Sequence, residues 1–346
     1  MKICIYGAGA IGGLLGARLA RAGEDVTLIA RGPHLAAMRA NGLSLTDSKE
    51  TFTVRPRALE DPEEAGEQDV VIVTLKAHAV PAVTARMPLL LGPKTAVVMA
   101  VNGVPWWYFH GLSGDLAGRR LQIVDPDGQQ WMNIGPERVI GCVAYPAAEI
   151  REPGHVLHVE GDRFSLGEPD GAKSERVRVL SAALAAAGFK APVKPDIRSE
   201  IWVKLWGNAV FNPISALTGA TLQAICSDLE TARFARSAMA EVERVANALG
   251  VTMPVSIDKR FAGAKAVGEH KTSMLQDLEN GRPLELDALV GAVIELANLS
   301  GQAVPLLEGL YALTKLRAER LHKSTEHGST TALPASRTLS AENRNG

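Results

Sequence analysis

Up to about residue 195, short unbroken apolar runs alternate with amphipathic stretches, and beyond it only helical periodicity remains. Residues 3–6 form the first run. A glycine-rich turn follows, then a helical stretch through Leu14, Leu15, Leu19 and Ala22 that Gly23 stops, then a second run over 26–29. Residues 43–55 alternate around a polar turn, as a hairpin does. Two longer runs, 69–75 and 95–101, lead into Lys76 and into Asn102-Gly103. Between 138 and 168 the runs shorten to 139–145, 155–159 and 163–166, with turns at Pro153-Gly154 and Gly161-Asp162. That pattern predicts an antiparallel meander extending the sheet. A helix over 174–187, stopped by Gly188, and a short strand over 191–194 come next. Helices through 199–220, 228–249, 288–299 and 304–321 complete the pattern. The chain thus reads as an α/β unit with a parallel sheet over 1–195 and an all-α unit over 196–321. The Ser/Thr/Asn/Gly-rich tail, 322–346, has no period and is expected to be disordered. An insert over 104–137 breaks the pattern. Trp106, Trp107, Tyr108, Phe109 and His110 follow one another there, as a lid, a pocket wall, a sheet-edge cover or a subunit contact could require.

The turn after the first run carries Gly7-Ala8-Gly9-Ala10-Ile11-Gly12, a G-x-G-x-x-G between a strand and a helix at the start of the chain. In that context Gly7 permits the tight turn, Gly9 lets the backbone approach a pyrophosphate and Gly12 lets helix and strand pack closely. The α/β unit is therefore read as a Rossmann dinucleotide-binding domain. At the end of the second run, where an NAD site places Asp or Glu, the chain has Ala30-Arg31. An arginine fork suits a 2′-phosphate, so NADP(H) is the expected cofactor. Ligands of open parallel sheets sit beyond the carboxyl ends of the strands, which puts Lys76 and Asn102 at the cofactor and substrate.

In the helical half, Lys204, Asn208 and Asn212 recur every four residues among apolar neighbours, so one cation and two carboxamides share a helix face. Burying them is costly unless a polar partner meets them, and a ligand would serve. Asn212-Pro213 predicts a kink there, and a plain solvated stripe is the alternative reading. The net charge of -1 gives no footprint for nucleic acid or a membrane surface. Three scattered cysteines fit a reducing, cytoplasmic setting. His155 and His158, three apart on a strand, lie on opposite faces, and no metal site is assigned.

Gly7-x-Gly9-x-x-Gly12, Arg31, Lys76, Asn102-Gly103, the Lys204/Asn208/Asn212-Pro213 helix and Ser273-Met-Leu-Gln-Asp followed twelve residues on by Glu285 together resemble the ketopantoate reductase family. The likeness covers residues 1–103 and 138–321. It implies NADPH-dependent reduction of a 2-oxo acid, ketopantoate, to pantoate on the route to pantothenate and coenzyme A. It also implies Lys204 as general acid toward the C2 oxygen, Glu285 beside it as the second catalytic group, and Ser273 at the substrate carboxylate. Asn208 and Asn212 would meet the hydroxyl end, and Asn102 and Lys76 would sit where cofactor and substrate meet. The insert leaves open a relative acting on another 2-oxo acid. An NADP(H)-binding sensor without turnover is a further alternative, and a homodimer is compatible with the sequence.

Overall fold

The structure is a computed structural model that describes residues 1–328. Strand β1 (Lys2–Tyr6) is buried on both faces beside β2 (Asp25–Ile29) and β6 (Gln68–Val73), both parallel to it. Helix α1 (Ala10–Arg21) makes the crossover between β1 and β2. Unbroken apolar runs take these positions because every side chain there leaves water. Helix α2 (Gly32–Asn41) follows β2, and the antiparallel hairpin of β3 (Leu43–Thr46) and β4 (Thr51–Val54) matches the alternation over 43–55. With β5 (Arg57–Leu59), β7 (Leu91–Met99), β8 (Val139–Ala144) and β11 (Phe164–Gly167), the main sheet has seven strands in the order β11-β8-β7-β6-β1-β2-β5. All neighbours in it are parallel except β11, which runs antiparallel to β8.

The predicted meander is corrected here. β9 (Ala147–Glu152) and β10 (His155–Glu160) leave the main sheet and join β3 and β4 in a separate four-stranded sheet, ordered β4-β3-β10-β9. β9 and β10 pair antiparallel across the expected turn at Pro153-Gly154, but the pairing of β10 with β3 is parallel and long-range, so no local turn signal could announce it.

Helix α3 (Gln129–Ile134) lies in the insert, and α4 (Glu175–Ala186) follows β11, capped by the Ser174 hydroxyl accepting from Val177 N–H. Strand pairing near 191–194 reduces to isolated bridges at Lys190 and Val193. From Ile197 onward the described residues are helical: α5 (Ile197–Thr218), α6 (Leu222–Ser227), α7 (Leu229–Ala248), α8 (Ile257–Ala266), α9 (Ser273–Glu279), α10 (Ala292–Leu299) and α11 (Pro305–Gly328). Asp196 and Asp228 accept N–H bonds at the starts of α5 and α7 (3.1 and 2.8 Å), satisfying donors that a helix leaves free. α5 runs on through Pro213 as one helix, so the expected kink does not end it. α11 extends past residue 321 to Gly328, and the remainder of the expected tail, 329–346, lies outside the described residues.

The aromatic run is core rather than an exposed lid or subunit contact, since Trp106, Trp107, Tyr108 and Phe109 are all almost fully buried. Trp106 and Trp107 pack on the sheet face that holds Met99 and Val139. Tyr108 and Phe109 enter the helical core with Trp202 and Phe211. Each such burial stabilises by about 1.5–3 kcal/mol or more for these large rings. Arg198 fixes the run by donating to the Tyr108 carbonyl at 2.8 Å and to the carbonyls of His110 and Pro169. The insert therefore stitches the sheet to the helices.

Candidate active site

The glycine turn is built as a dinucleotide cradle requires. α1 starts at Ala10 with Gly9 as its N-cap and no side chain covering its first-turn N–H groups, which have no intrahelical partner. A Cβ on Gly9 would point into open space, whereas one on Gly12 would collide with the Gly7 carbonyl and come within 2.5 Å of Thr74 Oγ1. The face toward a pyrophosphate is thus open and the face toward the sheet is closed, and a dinucleotide fits. Arg31 is the N-cap residue of α2. It is exposed, and its guanidinium has no hydrogen bond or ion pair among the described residues.

Thr74 donates to the Gly7 carbonyl at 2.7 Å, so the end of β6 meets this turn, and Lys76 follows two residues later. Asn102 lies just past the end of β7, the neighbour of β6. Gly103 has φ of +95° and would clash with Ala288 if it carried a Cβ. Only glycine lets the loop dock there, where Val104 N–H donates to the Ala288 carbonyl at 3.0 Å. Ala288 belongs to a π-helical turn, Asp287–Gly291, that opens α10 two residues after Glu285. Docking loop against turn brings Glu285 to the sheet edge. Its carboxylate accepts from Ala77 N–H at 2.9 Å, from Asn102 Nδ2 at 3.3 Å and from Lys76 Nζ at 3.4 Å.

Lys204, midway along α5, completes the cluster. Its ammonium donates to Asn102 Oδ1 at 2.8 Å and to the Ala144 carbonyl, and it stands 5.9 Å from the centroid of the Tyr145 ring. Burial brings its pKa down to about 8, against the opposing pull of the Glu285 carboxylate and the Cys142 thiol. Lys76 behaves differently. Burial works against its charge, but Glu285 and Asp277 outweigh burial and raise its pKa; its ammonium is 2.7 Å from Asp277 Oδ2. Such an arrangement leaves Lys204 able to give up a proton near neutral pH while Lys76 stays charged.

Four predicted residues, Lys76, Asn102, Lys204 and Glu285, thus form one hydrogen-bonded chain. Asn208 and Asn212 lie on the same helix as Lys204, half-buried and buried, and neither carboxamide has a hydrogen-bond partner among the described residues. Ser273 is not brought into the cluster. It is exposed at the start of α9 and makes no side-chain hydrogen bond among the described residues. Two participants escaped sequence reading. Asp277, one turn beyond Ser273, is buried and joins Lys76 to Arg282 (3.0 Å); it ends the Ser273-Met-Leu-Gln-Asp motif, but the motif gave it no role. The Ala144 carbonyl carried no signal, because a backbone acceptor has no residue type. Beside the cluster lies a cavity of about 190 Å³ that Asn102 and Glu285 share with Val101, Trp106, Ile123 and Leu284. The Trp106 indole N–H has no hydrogen-bond partner among the described residues.

Comparison with known proteins gives a consistent picture. The family model described as Ketopantoate reductase PanE/ApbA matches residues 3–171, and that described as Ketopantoate reductase PanE/ApbA C terminal matches residues 196–318. A 2-dehydropantoate 2-reductase of Mesorhizobium japonicum is 55% identical over 322 residues, covering 92% of this chain and 99% of its own. The crystal structure of a 2-dehydropantoate 2-reductase from Geobacter metallireducens superposes with a TM-score of 0.80 at 30% identity, covering 91% of this chain and 99% of that one. D-mandelate dehydrogenase, solved with NADH and anilino(oxo)acetate, shares the fold at 20% identity and a TM-score of 0.80, covering 93% of this chain and 99% of its own.

Proposed function

The chain belongs to the ketopantoate reductase family, and on that premise we propose that it reduces ketopantoate to pantoate with NADPH. It is an oxidoreductase that works with a nicotinamide dinucleotide. When bound, the nicotinamide supplies the hydride. The chain's own residues do the rest. Lys204 gives its proton to the substrate C2 oxygen and stabilises the negative charge that develops there. Asn102 holds the Lys204 ammonium, and Glu285, fixed by Ala77 N–H and Lys76, receives the other end of Asn102. Asn208 and Asn212 offer uncommitted carboxamides to the rest of the substrate. Gly7, Ala8, Gly9, Ala10, Ile11 and Gly12 hold the pyrophosphate, and Arg31 takes the 2′-phosphate that separates NADPH from NADH.

The observation that carries this reading is a lysine with pKa about 8, hydrogen bonded to neutral partners at the carboxyl edge of a dinucleotide-binding sheet. A second reading keeps the chemistry and changes the substrate. The cavity of about 190 Å³ that Asn102 and Glu285 share is walled by Val101, Trp106, Ile123 and Leu284, an apolar lining that would suit a bulkier 2-oxo acid. The test is oxidation of NADPH at 340 nm with ketopantoate and with a panel of branched and aryl 2-oxo acids. Selective turnover of ketopantoate supports the first reading and selective turnover of a bulkier acid the second. Tight NADPH binding with no turnover of any acid refutes both.

A further inference from the structure

Arg260, in the first turn of α8, lies against the helix that carries Lys204. Its guanidinium covers Gly207, so that a Cβ at that position would overlap it. Gly207 sits between Lys204 and Asn208 in sequence, one residue before the first uncommitted carboxamide. The arginine is half-buried, yet its side chain has no hydrogen bond or ion pair among the described residues. The acids on the two helices that meet there, Glu200 of α5 and Asp258 of α8, are engaged elsewhere. Asp258, on the same helix, is 3.1 Å from Arg236. Glu200 accepts from Lys194 at 2.8 Å, Ser165 at 2.9 Å and Tyr145 at 3.3 Å. Burial lowers the Arg260 pKa, and the groups that oppose this, Tyr145 and Cys226, are themselves pushed upward by burial and so are neutral at pH 7. Arg163, stacked 3.9 Å from the centroid of the Tyr145 ring, is a second cation acting on that phenol. A half-buried guanidinium without a counter-ion is costly, and an anion supplied from outside offsets that cost.

We propose that Arg260 binds a carboxylate of the 2-oxo acid, beside Lys204 and across Gly207, and thereby adds a fixed positive charge to its recognition. This assignment rests on the reductase reading for the identity of the anion. Gly207 is then part of the anion site, because its missing side chain is the space that the guanidinium occupies.

Two variants test it. Arg260→Gln removes the charge, while Gly207→Ala keeps it and pushes the flexible end of the arginine aside; alanine also suits a helix interior better than glycine, so folding is not compromised. For either variant the KM for ketopantoate should rise about 10- to 100-fold, the scale of one charge-assisted hydrogen-bonded contact, with kcat within about threefold. NADPH affinity by fluorescence titration should not move. In the double variant the two effects should not add. The uncharged lactone of ketopantoate, which lacks the carboxylate, should be handled equally by wild type and variants. A KM rise seen only with a dicarboxylic 2-oxo acid would place Arg260 at the distal carboxylate and still support the proposal. An unchanged KM for every acid, or equal losses for acid and lactone, overturns it. If the wild type reduces no 2-oxo acid, the reductase reading fails by itself. Calorimetric titration of the NADPH complex with oxamate then decides Arg260: weakened binding in Arg260→Gln supports the anion site, and unchanged binding rejects it.

Discussion

At the scale of single residues, the site separates two lysines by their surroundings. Lys76 faces two carboxylates and keeps its proton; Lys204 faces a carboxamide, a carbonyl and an aromatic ring, and its proton is loosened. Lys204→Ala should lower kcat by about 10²- to 10⁴-fold and leave NADPH affinity nearly unchanged, as steady-state assay and fluorescence titration would report. Wild-type-like turnover would remove Lys204 from the role of acid. The sign of the pH dependence follows from the same group. Below about pH 8 Lys204 is protonated and can serve the reduction; above it the proton is gone, so kcat/KM for reduction should fall as pH rises through about 8. A flat profile from pH 7 to 9.5 would mean that the step is limited elsewhere or that another group gives the proton.

At the scale of elements, the β1-turn-α1-β2 unit and α5 each present chemistry at a fixed place. β2 delivers Arg31 two residues past its end at Ile29, where the N-terminus of α2 begins. Arg31→Ala should weaken NADPH by about 10-fold or more and NADH by little, because only the former carries the 2′-phosphate. Equal weakening of both in paired titrations would show that Arg31 does not read the phosphate. α5 keeps Lys204, Asn208 and Asn212 on one face through Pro213, since proline removes one N–H while Asn212 and the flanking residues stay packed in the helical core. Packing overrides the local break that the dipeptide predicts.

At the scale of the whole molecule, the site exists because sheet and helices are locked together. The aromatic insert enters both cores, and Asp277 and Glu285 reach across to Lys76 and Ala77. Asp277→Ala would leave Lys76 and Arg282 without this acid. Because Lys76 is partly exposed and screened, the loss should be modest, about 1–2 kcal/mol in stability, together with a kcat lowered about 10-fold as Glu285 loses its fixed neighbour. Thermal unfolding and turnover measured side by side check this, and unchanged turnover would show that apolar packing alone places Glu285. Sequence by itself determined the strand runs, the glycine cradle, the carboxyl-edge residues Lys76 and Asn102 and the shared face of Lys204, Asn208 and Asn212. All of these are periodicities or turn requirements that act over a few residues. Only the tertiary structure decided that β9 and β10 leave the main sheet, that Trp106 to Phe109 are core, that Asp277 pairs with Lys76 and that Arg260 covers Gly207. Those outcomes depend on partners from about 50 to 200 positions away, and local propensity holds no record of which distant surface a side chain will meet.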